Sequence, residues 1–210
     1  MPEAKIRCLL FDLDDTLYPQ NNGVWDMVRV RIDQYLRDEM HFPPEEVPTL
    51  RHRLWQQYGT TLRGLQEEYA VDMDAYLDYV HDIPLERVLK PDRPLNRALT
   101  QLPQRKIIFT NANAAHARRV LQALDIAVHF EKIVDIYTMQ PFCKPHIEAF
   151  QTALSLIAEQ PDACLLVDDS PKNLETAKSL GIAAVAVGPH SADHTPQINS
   201  ILDLPEVFFS

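Results

Sequence analysis

The sequence predicts a doubly wound α/β fold, in which parallel strands alternate with helices, interrupted by an inserted helical segment. Three observations carry this: short apolar runs that end in polar residues, helical periodicity between them, and one long helical stretch after the first run.

The runs are IRCLLFD (6–12), KIIFTN (106–111), KIVDI (132–136), ACLLVDD (163–169) and AAVAVG (183–188). Continuous apolar runs of this length suit strands buried on both faces of a parallel sheet. Between them, residues 114–124, 146–158 and 171–180 read as helices, the second with Ile147, Phe150, Leu154 and Ile157 at helical spacing. The alternation implies right-handed crossovers. Residues 19–90 are far too many for a strand-to-helix loop. They carry apolar stripes at Val24, Val28, Ile32, Tyr35 and Leu36, at Leu62, Leu65 and Tyr69, and at Met73, Tyr76, Leu77 and Val80. Breaks fall at FPPEEVP (42–48) and YGTT (58–61), and KPDRP (90–94) reads as the return linker. The expected division is a core of residues 1–18 and 91–210 and a helical cap of residues 19–90, either a structural elaboration or a lid over the end of the first strand.

The chain has 210 residues, of which 46% are hydrophobic, enough for a buried core. Its 20 basic and 30 acidic residues give a net charge of −10. That balance argues against a nucleic acid polymer or an anionic membrane surface as partner, since both need clustered Lys and Arg. Three cysteines, Cys8, Cys143 and Cys164, without paired spacing point to reduced thiols, not to a disulfide framework or a zinc site. No apolar run is long enough to span a bilayer, and MPEAKIR passes into the first strand without a signal-peptide cleavage site, so a soluble cytoplasmic protein is expected.

The stretch FDLDDTLYP (11–19) places Asp12, Asp14 and Asp15 where the first strand ends. Residues two apart in a strand point the same way, so Asp12 and Asp14 are expected to project together from the carboxyl edge, where open α/β sheets bind ligands. Two carboxylates ~4 Å apart repel by ~4 kcal/mol at an effective dielectric of 20. A divalent cation offsets that, and magnesium prefers oxygen ligands shared with a substrate phosphate. LLVDDSPKN (165–173) repeats the pattern with Asp168 and Asp169, followed by Ser170 as N-cap, Pro171 as first helical residue and Gly181 as the C-cap. In FTNAN (109–113), Thr110 and Asn111 end a strand and precede a helix, offering a hydroxyl, an amide and backbone N–H groups to an anion. In CKPHIEAF (143–150), Pro145 is the expected first helical residue. Lys144 is badly placed there for the helix dipole, and makes better sense as a counter-charge to carboxylates and phosphate. Each piece alone is compatible with a solvated turn or a cap; the ordered set is not.

These residues, Asp12-Leu13-Asp14-Asp15-Thr16, Thr110-Asn111, Lys144-Pro145 and Asp168-Asp169, resemble the four ordered motifs of the haloacid dehalogenase superfamily. The helical segment matches the position of a helical cap between the first two motifs. FDLDDTLYP, YGTTLRGL and LLVDDSPKNLETAKSLG look most like the pyrimidine 5′-nucleotidase subgroup. The resemblance implies that Asp12 is the nucleophile of an aspartyl-phosphate pathway and Asp14 the general acid and base. It implies Mg²⁺ held by Asp12, the Asp14 backbone carbonyl and Asp169, with Asp168 a direct or water-mediated ligand. Thr110, the Asn111 backbone and Lys144 would hold the phosphoryl oxygens, Thr16 would orient Asp12, and Asn173 would support the site from behind.

The expected activity is phosphate monoester hydrolysis. Asp14 disfavours a dehalogenase, and the absence of any lysine between Lys5 and Lys90 disfavours a phosphonate-cleaving enzyme. A sugar-phosphate phosphatase or phosphomutase shares the same core motifs. A binding protein that kept the fold without turnover is the alternative from another class. The expected substrate is a small phosphorylated metabolite, a nucleoside 5′-monophosphate with pyrimidine preferred. Tyr58, Thr60 and Arg63 are the substrate candidates, although Arg63 could equally be a surface charge. Trp25, Trp55 and Tyr69 either stack on a base or fill the bundle core. His190 and His194 read as a solvated turn, His116 as a helix-surface residue, and Phe208-Phe209 as a docking pair.

Overall fold

The structure, a computed structural model, describes residues 6–189 and 195–208, without the side chains of the last two. His190, His194 and Phe209 lie outside the described residues, as does the side chain of Phe208.

Strands β1 (Cys8–Phe11), β2 (Arg105–Phe109), β3 (Lys132–Val134), β4 (Cys164–Asp168), β5 (Ala183–Val187) and β6 (Gln197–Ile198) form one sheet in the order β3-β2-β1-β4-β5-β6. Every pairing is parallel. The chain leaves β1 toward β2 and β3, then crosses back to β4 on the other side. This reversal puts the topological switch point between the carboxyl ends of β1 and β4, where the register pairs Phe11 with Val167. The two-residue β6 is too short to leave a periodic signal.

Helices α5 (Arg93–Gln101), α6 (Ala114–Ala123), α7 (Ile147–Ile157), α8 (Pro171–Ser179) and α9 (Leu204–Phe208) accompany the sheet. On one face Cys8, Leu10, Ile107, Phe109, Cys164 and Leu166 pack with Ala149, Phe150, Ala153, Leu154 and Ile157 of α7 and with Leu174 and Ala177 of α8. Leu9 and Phe11, which point the other way, are equally buried, Phe11 edge-on to Phe130 at 5.8 Å. Burial on both sides is what the unbroken apolar runs require.

Two local expectations are corrected. KPDRP is not all linker: the Asp92 side chain accepts from Leu95 N at 2.9 Å and starts α5, with Pro94 in its first turn, where a missing N–H costs nothing. Pro145 is not the first residue of α7. His146 is still extended, with ψ 136°, and the Pro145 carbonyl accepts from Thr176 Oγ1 at 2.9 Å, so the helix begins only at Ile147.

The chain divides into two compact units, residues 1–22 with 89–210 and residues 23–88. The second holds α1 (Val24–Gln34), which runs into a π-helical turn over Tyr35–Glu39, then α2 (Val47–Tyr58), α3 (Thr61–Tyr69) and α4 (Met73–His81). Val28, Ile32, Leu36, Leu54, Leu62, Leu65, Tyr76, Leu77 and Val80 are buried. Gly64 sits where α3 meets α2: a Cβ there would stand 2.6 Å from Leu54 Cδ2 and 2.8 Å from the Tyr58 ring. Gly64→Ala is therefore expected to destabilise this unit by ~1–3 kcal/mol despite alanine's better helix propensity, read as a lower urea midpoint. No helix among the described residues is long and apolar enough to cross a membrane.

Candidate active site

β1 ends at Phe11, and Asp12 N still donates to Val167 O at 2.9 Å, which holds Asp12 beside the end of β4. The chain then turns sharply. Asp15 takes a left-handed conformation (φ 62°), which aspartate tolerates better than most residues, and Leu17 N bonds Leu13 O at 3.0 Å. β1 stops before Asp12, so the turn, and not strand alternation, sets where Asp14 lies.

Asp12, Asp168 and Asp169 form one cluster, each offering an oxygen within 4.8 Å of the others. Lys144 Nζ donates to Asp12 Oδ1 at 2.8 Å and to Asp168 Oδ2 at 2.8 Å. The Lys144 side chain is 2% exposed and that of Asp168 fully buried, so this is an interior ion triad, where charges need pairing. Asp168 is saturated: Oδ1 accepts from Ser170 N at 2.9 Å, and Asn173 Nδ2 reaches both oxygens at 2.9 and 3.0 Å. Asp169 accepts a longer bond from Gln20 Nε2, 3.1 Å.

The charges bend one another's titration. Burial above all, then Asp168 and Asp169, pushes the Asp12 carboxyl well up, against the pull of Lys144. Burial and Asp168 push Asp169 up to about 6. Burial would lower the Lys144 ammonium, but Asp12 and Asp168 outweigh it and the net direction is upward. The donor set is three carboxylates and no sulfur or imidazole, which suits a hard divalent cation.

Lys144 is held from behind. Asn111 Oδ1 accepts from Lys144 N and Asn111 Nδ2 donates to Lys144 O, both at 2.9 Å. The Asn111 amide is thus spent on the backbone that carries the ammonium. The buried Thr110 hydroxyl accepts from Ala112 N at 3.0 Å, in the turn between β2 and α6. Thr16 Oγ1 lies 3.5 Å from Asp12 Oδ2, the outer limit of a hydrogen bond.

Asp14 has its own set of partners. The Tyr18 hydroxyl donates to its Oδ1, and His116 Nε2 lies 3.0 Å from the same oxygen. Burial and Asp14 raise the Tyr18 phenol well above its ordinary range, so it stays a donor. His116 is not on the helix surface: its side chain is fully buried. The Asn113 side chain caps α6 by accepting from His116 N at 2.8 Å, so the helix starts close to the strand ends. His116 also precedes Val120 by four residues and Leu124 by eight, which places it on the buried stripe of α6. That spacing was the available signal.

In the helical unit, Thr60 Oγ1 accepts from Arg63 N at 3.1 Å as the N-cap of α3. Arg63 is buried, not a surface charge, and donates to Gln66 Oε1 at 2.7 Å. Tyr58 accepts from Gln57 Nε2 at 3.1 Å. Trp25, Trp55 and Tyr69 are not core residues, being 44%, 48% and 42% exposed.

Comparison with known proteins finds relatives of the sequence and of the fold. Phosphate metabolism protein 8 of Saccharomyces cerevisiae is 29% identical over 203 residues, covering 88% of this chain but only 62% of the yeast protein's length. Pyrophosphatase PpaX of Listeria monocytogenes is 24% identical over 202 residues, covering 92% of this chain and 91% of that one. Among solved structures, magnesium-bound YfnB of Bacillus subtilis superposes with a TM-score of 0.64 at 17% identity, covering 98% of this chain and 100% of that one. The L-2-haloacid dehalogenase of Xanthobacter autotrophicus does so with a TM-score of 0.60 at 14% identity, covering 96% and 97%. The haloacid dehalogenase-like hydrolase family itself matches residues 6–181, most of the chain, and the protein belongs to that family.

Proposed function

We propose that the protein is a Mg²⁺-dependent phosphate monoester hydrolase that works through an aspartyl-phosphate on Asp12, with a nucleoside 5′-monophosphate, pyrimidine preferred, as its substrate. The observation that carries the reading is Asp12 itself: a carboxylate set 2.8 Å from a buried ammonium and within the three-carboxylate cluster. Asp12, Asp169 and the Asp14 backbone carbonyl would hold the cation, which when bound supplies positive charge against the phosphoryl oxygens. Asp168, paired with Lys144, Ser170 and Asn173, acts chiefly by anchoring Lys144, and would serve the cation as a direct or water-mediated ligand.

Asp12 attacks phosphorus as the leaving oxygen departs. Asp14 gives that oxygen a proton, then takes one from the water that hydrolyses the aspartyl-phosphate. Lys144, the Thr110 hydroxyl and the Asn111 backbone hold the phosphoryl oxygens. Base selection falls to the helical unit, proposed as a cap of residues 19–90 on a core of residues 1–18 and 91–210. The half-exposed Trp25 and Trp55 supply apolar faces, Arg63 and Tyr58 polar groups, and Thr60 the cap that starts Arg63's helix. Three buried cysteines outside any disulfide accord with a cytoplasmic setting.

A panel of UMP, CMP, AMP, sugar phosphates and inorganic pyrophosphate, assayed for phosphate release with and without Mg²⁺, tests this. Faster release from UMP and CMP is expected. Equal rates on all esters would leave a general phosphatase and remove the nucleotide claim. Preference for pyrophosphate is the second reading, favoured by the name of the Listeria relative.

Cation binding should also show in stability. With Mg²⁺ at ~100-fold its dissociation constant, a gain of ~2.7 kcal/mol is expected, read as a rise in Tm. Asp169 sets the pH window. Its folded pKa of about 6 lies above the ordinary 3.8, so between these values the folded protein binds more protons than the unfolded one. Stability without cation therefore falls as pH rises through that window. The cation needs the carboxylate, so its Tm gain should fade as pH falls through ~6. A gain independent of pH would remove Asp169 from the ligand set.

A further inference from the structure

We propose that His116 and Tyr18 are positioning residues for Asp14: together they fix its carboxyl so that the proton is delivered to the leaving oxygen. This rests on the reading of Asp14 as the general acid, and names the groups that make it effective.

The starting observation is a buried imidazole. A fully buried histidine on the apolar stripe of α6, beside Ala117, Val120 and Leu121, costs folding free energy unless its polar atoms are engaged. Many such histidines are satisfied by a structural carbonyl. Here Nε2 instead meets the side chain of Asp14, 102 residues earlier, at 3.0 Å. Asp14 is no structural carboxylate either. It lies in the turn beyond β1, its side chain is 20% exposed, and it stands outside the cluster of Asp12, Asp168 and Asp169. The chain thus brings two deeply placed groups to a reachable acid that the buried ammonium does not touch.

Both contacts fall on one oxygen, Oδ1. With the Tyr18 hydroxyl donating to it, the consistent tautomer of His116 carries its hydrogen on Nε2, so both groups donate. An oxygen that already accepts two hydrogen bonds has no place for the acid's proton, so the proton to be transferred belongs on Oδ2. Two donors from different segments also define the carboxyl plane, which a lone aspartate would leave free to turn. When the bond from Asp12 to phosphorus forms and the bond from phosphorus to the leaving oxygen breaks, the proton passes from Asp14 Oδ2 to that oxygen. The resulting Asp14 carboxylate keeps both hydrogen bonds, and it accepts the proton of the hydrolytic water in the second step. Misplacement of a reacting group by ~1 Å costs on the order of 10²-fold, so the hold on Asp14 should be visible in rate.

The test separates positioning from packing through the leaving group. p-Nitrophenyl phosphate releases a phenolate that departs without a proton; phenyl phosphate, nearly the same shape, releases one that needs it. kcat/KM, which covers the steps up to formation of the aspartyl-phosphate, is measured for both esters with Mg²⁺. His116→Leu is expected to lose about tenfold more on phenyl phosphate than on p-nitrophenyl phosphate. Tyr18→Phe should shift the ratio in the same direction. His116→Gln, which keeps an N–H near the Nε2 position, should recover most of it. Equal losses on the two esters, or none, would overturn the proposal, since a packing defect lowers both alike. If His116→Leu does not fold, Tyr18→Phe, which deletes one oxygen atom, decides the matter alone. Asp14→Asn is the control: it must show the same discrimination. Equal losses there overturn the acid assignment and this proposal with it. If the unaltered protein cleaves neither ester, it is the phosphatase reading that falls.

Discussion

Asp12→Asn is expected to lower phosphate release by about 10⁴-fold or more, because the amide neither attacks phosphorus nor forms an acyl phosphate to hydrolyse. The substitution changes one atom, so the turn through Asp15 and the hydrogen bond of its N–H to Val167 O are kept. Stability should move the other way. Asp12 is a carboxyl whose folded pKa is raised, first by burial and then by Asp168 and Asp169. At neutral pH its ionised form opposes folding, and a neutral isostere removes that opposition. The cation-free variant should therefore melt at or above the temperature of the parent, while its gain on adding Mg²⁺ shrinks. Loss of activity with gain of stability is the signature of a strained functional group. Acid quenching of the parent protein during turnover should trap labelled phosphate on the chain, and the variant should trap none. A variant that retains near-full turnover would move the nucleophile away from Asp12.

How far this site could be read from the sequence depends on which forces place each group. Asp12, Asp168 and Asp169 were legible because they terminate apolar strands, and a parallel sheet brings the ends of neighbouring strands to one edge. The helical segment was legible because stripes such as Met73, Tyr76, Leu77 and Val80 repeat at helical spacing, and these residues are buried. The partners of Asp14 were not legible, because strand alternation ends at Phe11 and a turn sets its place beside Tyr18 and His116. His116 was missed for a different reason: its partner is 102 residues away, and periodicity reports which face is buried, not what is met there. Trp25 and Trp55 show the converse. Their spacing left both stacking and core open, and their exposure follows from which side of α1 and α2 they occupy. Helix α5 hid behind prolines that read as a linker, although Asp92 and Pro94 are start signals when taken together.

Lys144→Met is expected to be the most damaging substitution to the core. The ammonium is the only basic side chain paired with either Asp12 or Asp168 among the described residues, at 2.8 Å from each. Methionine keeps the length of the side chain and removes the charge, which leaves a fully buried Asp168 carboxylate facing Asp12. Breaking a buried ion pair from one side costs ~3–5 kcal/mol, because the remaining charge stays desolvated. The urea midpoint should fall accordingly. Asp168 still has Ser170 N and Asn173 Nδ2, so the loss should sit toward the lower end of that range. Adding Asp168→Asn to Lys144→Met should recover part of the stability, since it removes the stranded charge; the double-mutant cycle reads the coupling directly. Turnover should not recover with it. Without an ammonium to meet the phosphoryl oxygens, kcat is expected to stay lower by about 10²–10³-fold. If Lys144→Met unfolds no more easily than the parent, the triad contributes nothing to the fold. If the double variant regains turnover along with stability, Lys144 holds the site together but does not face the phosphate.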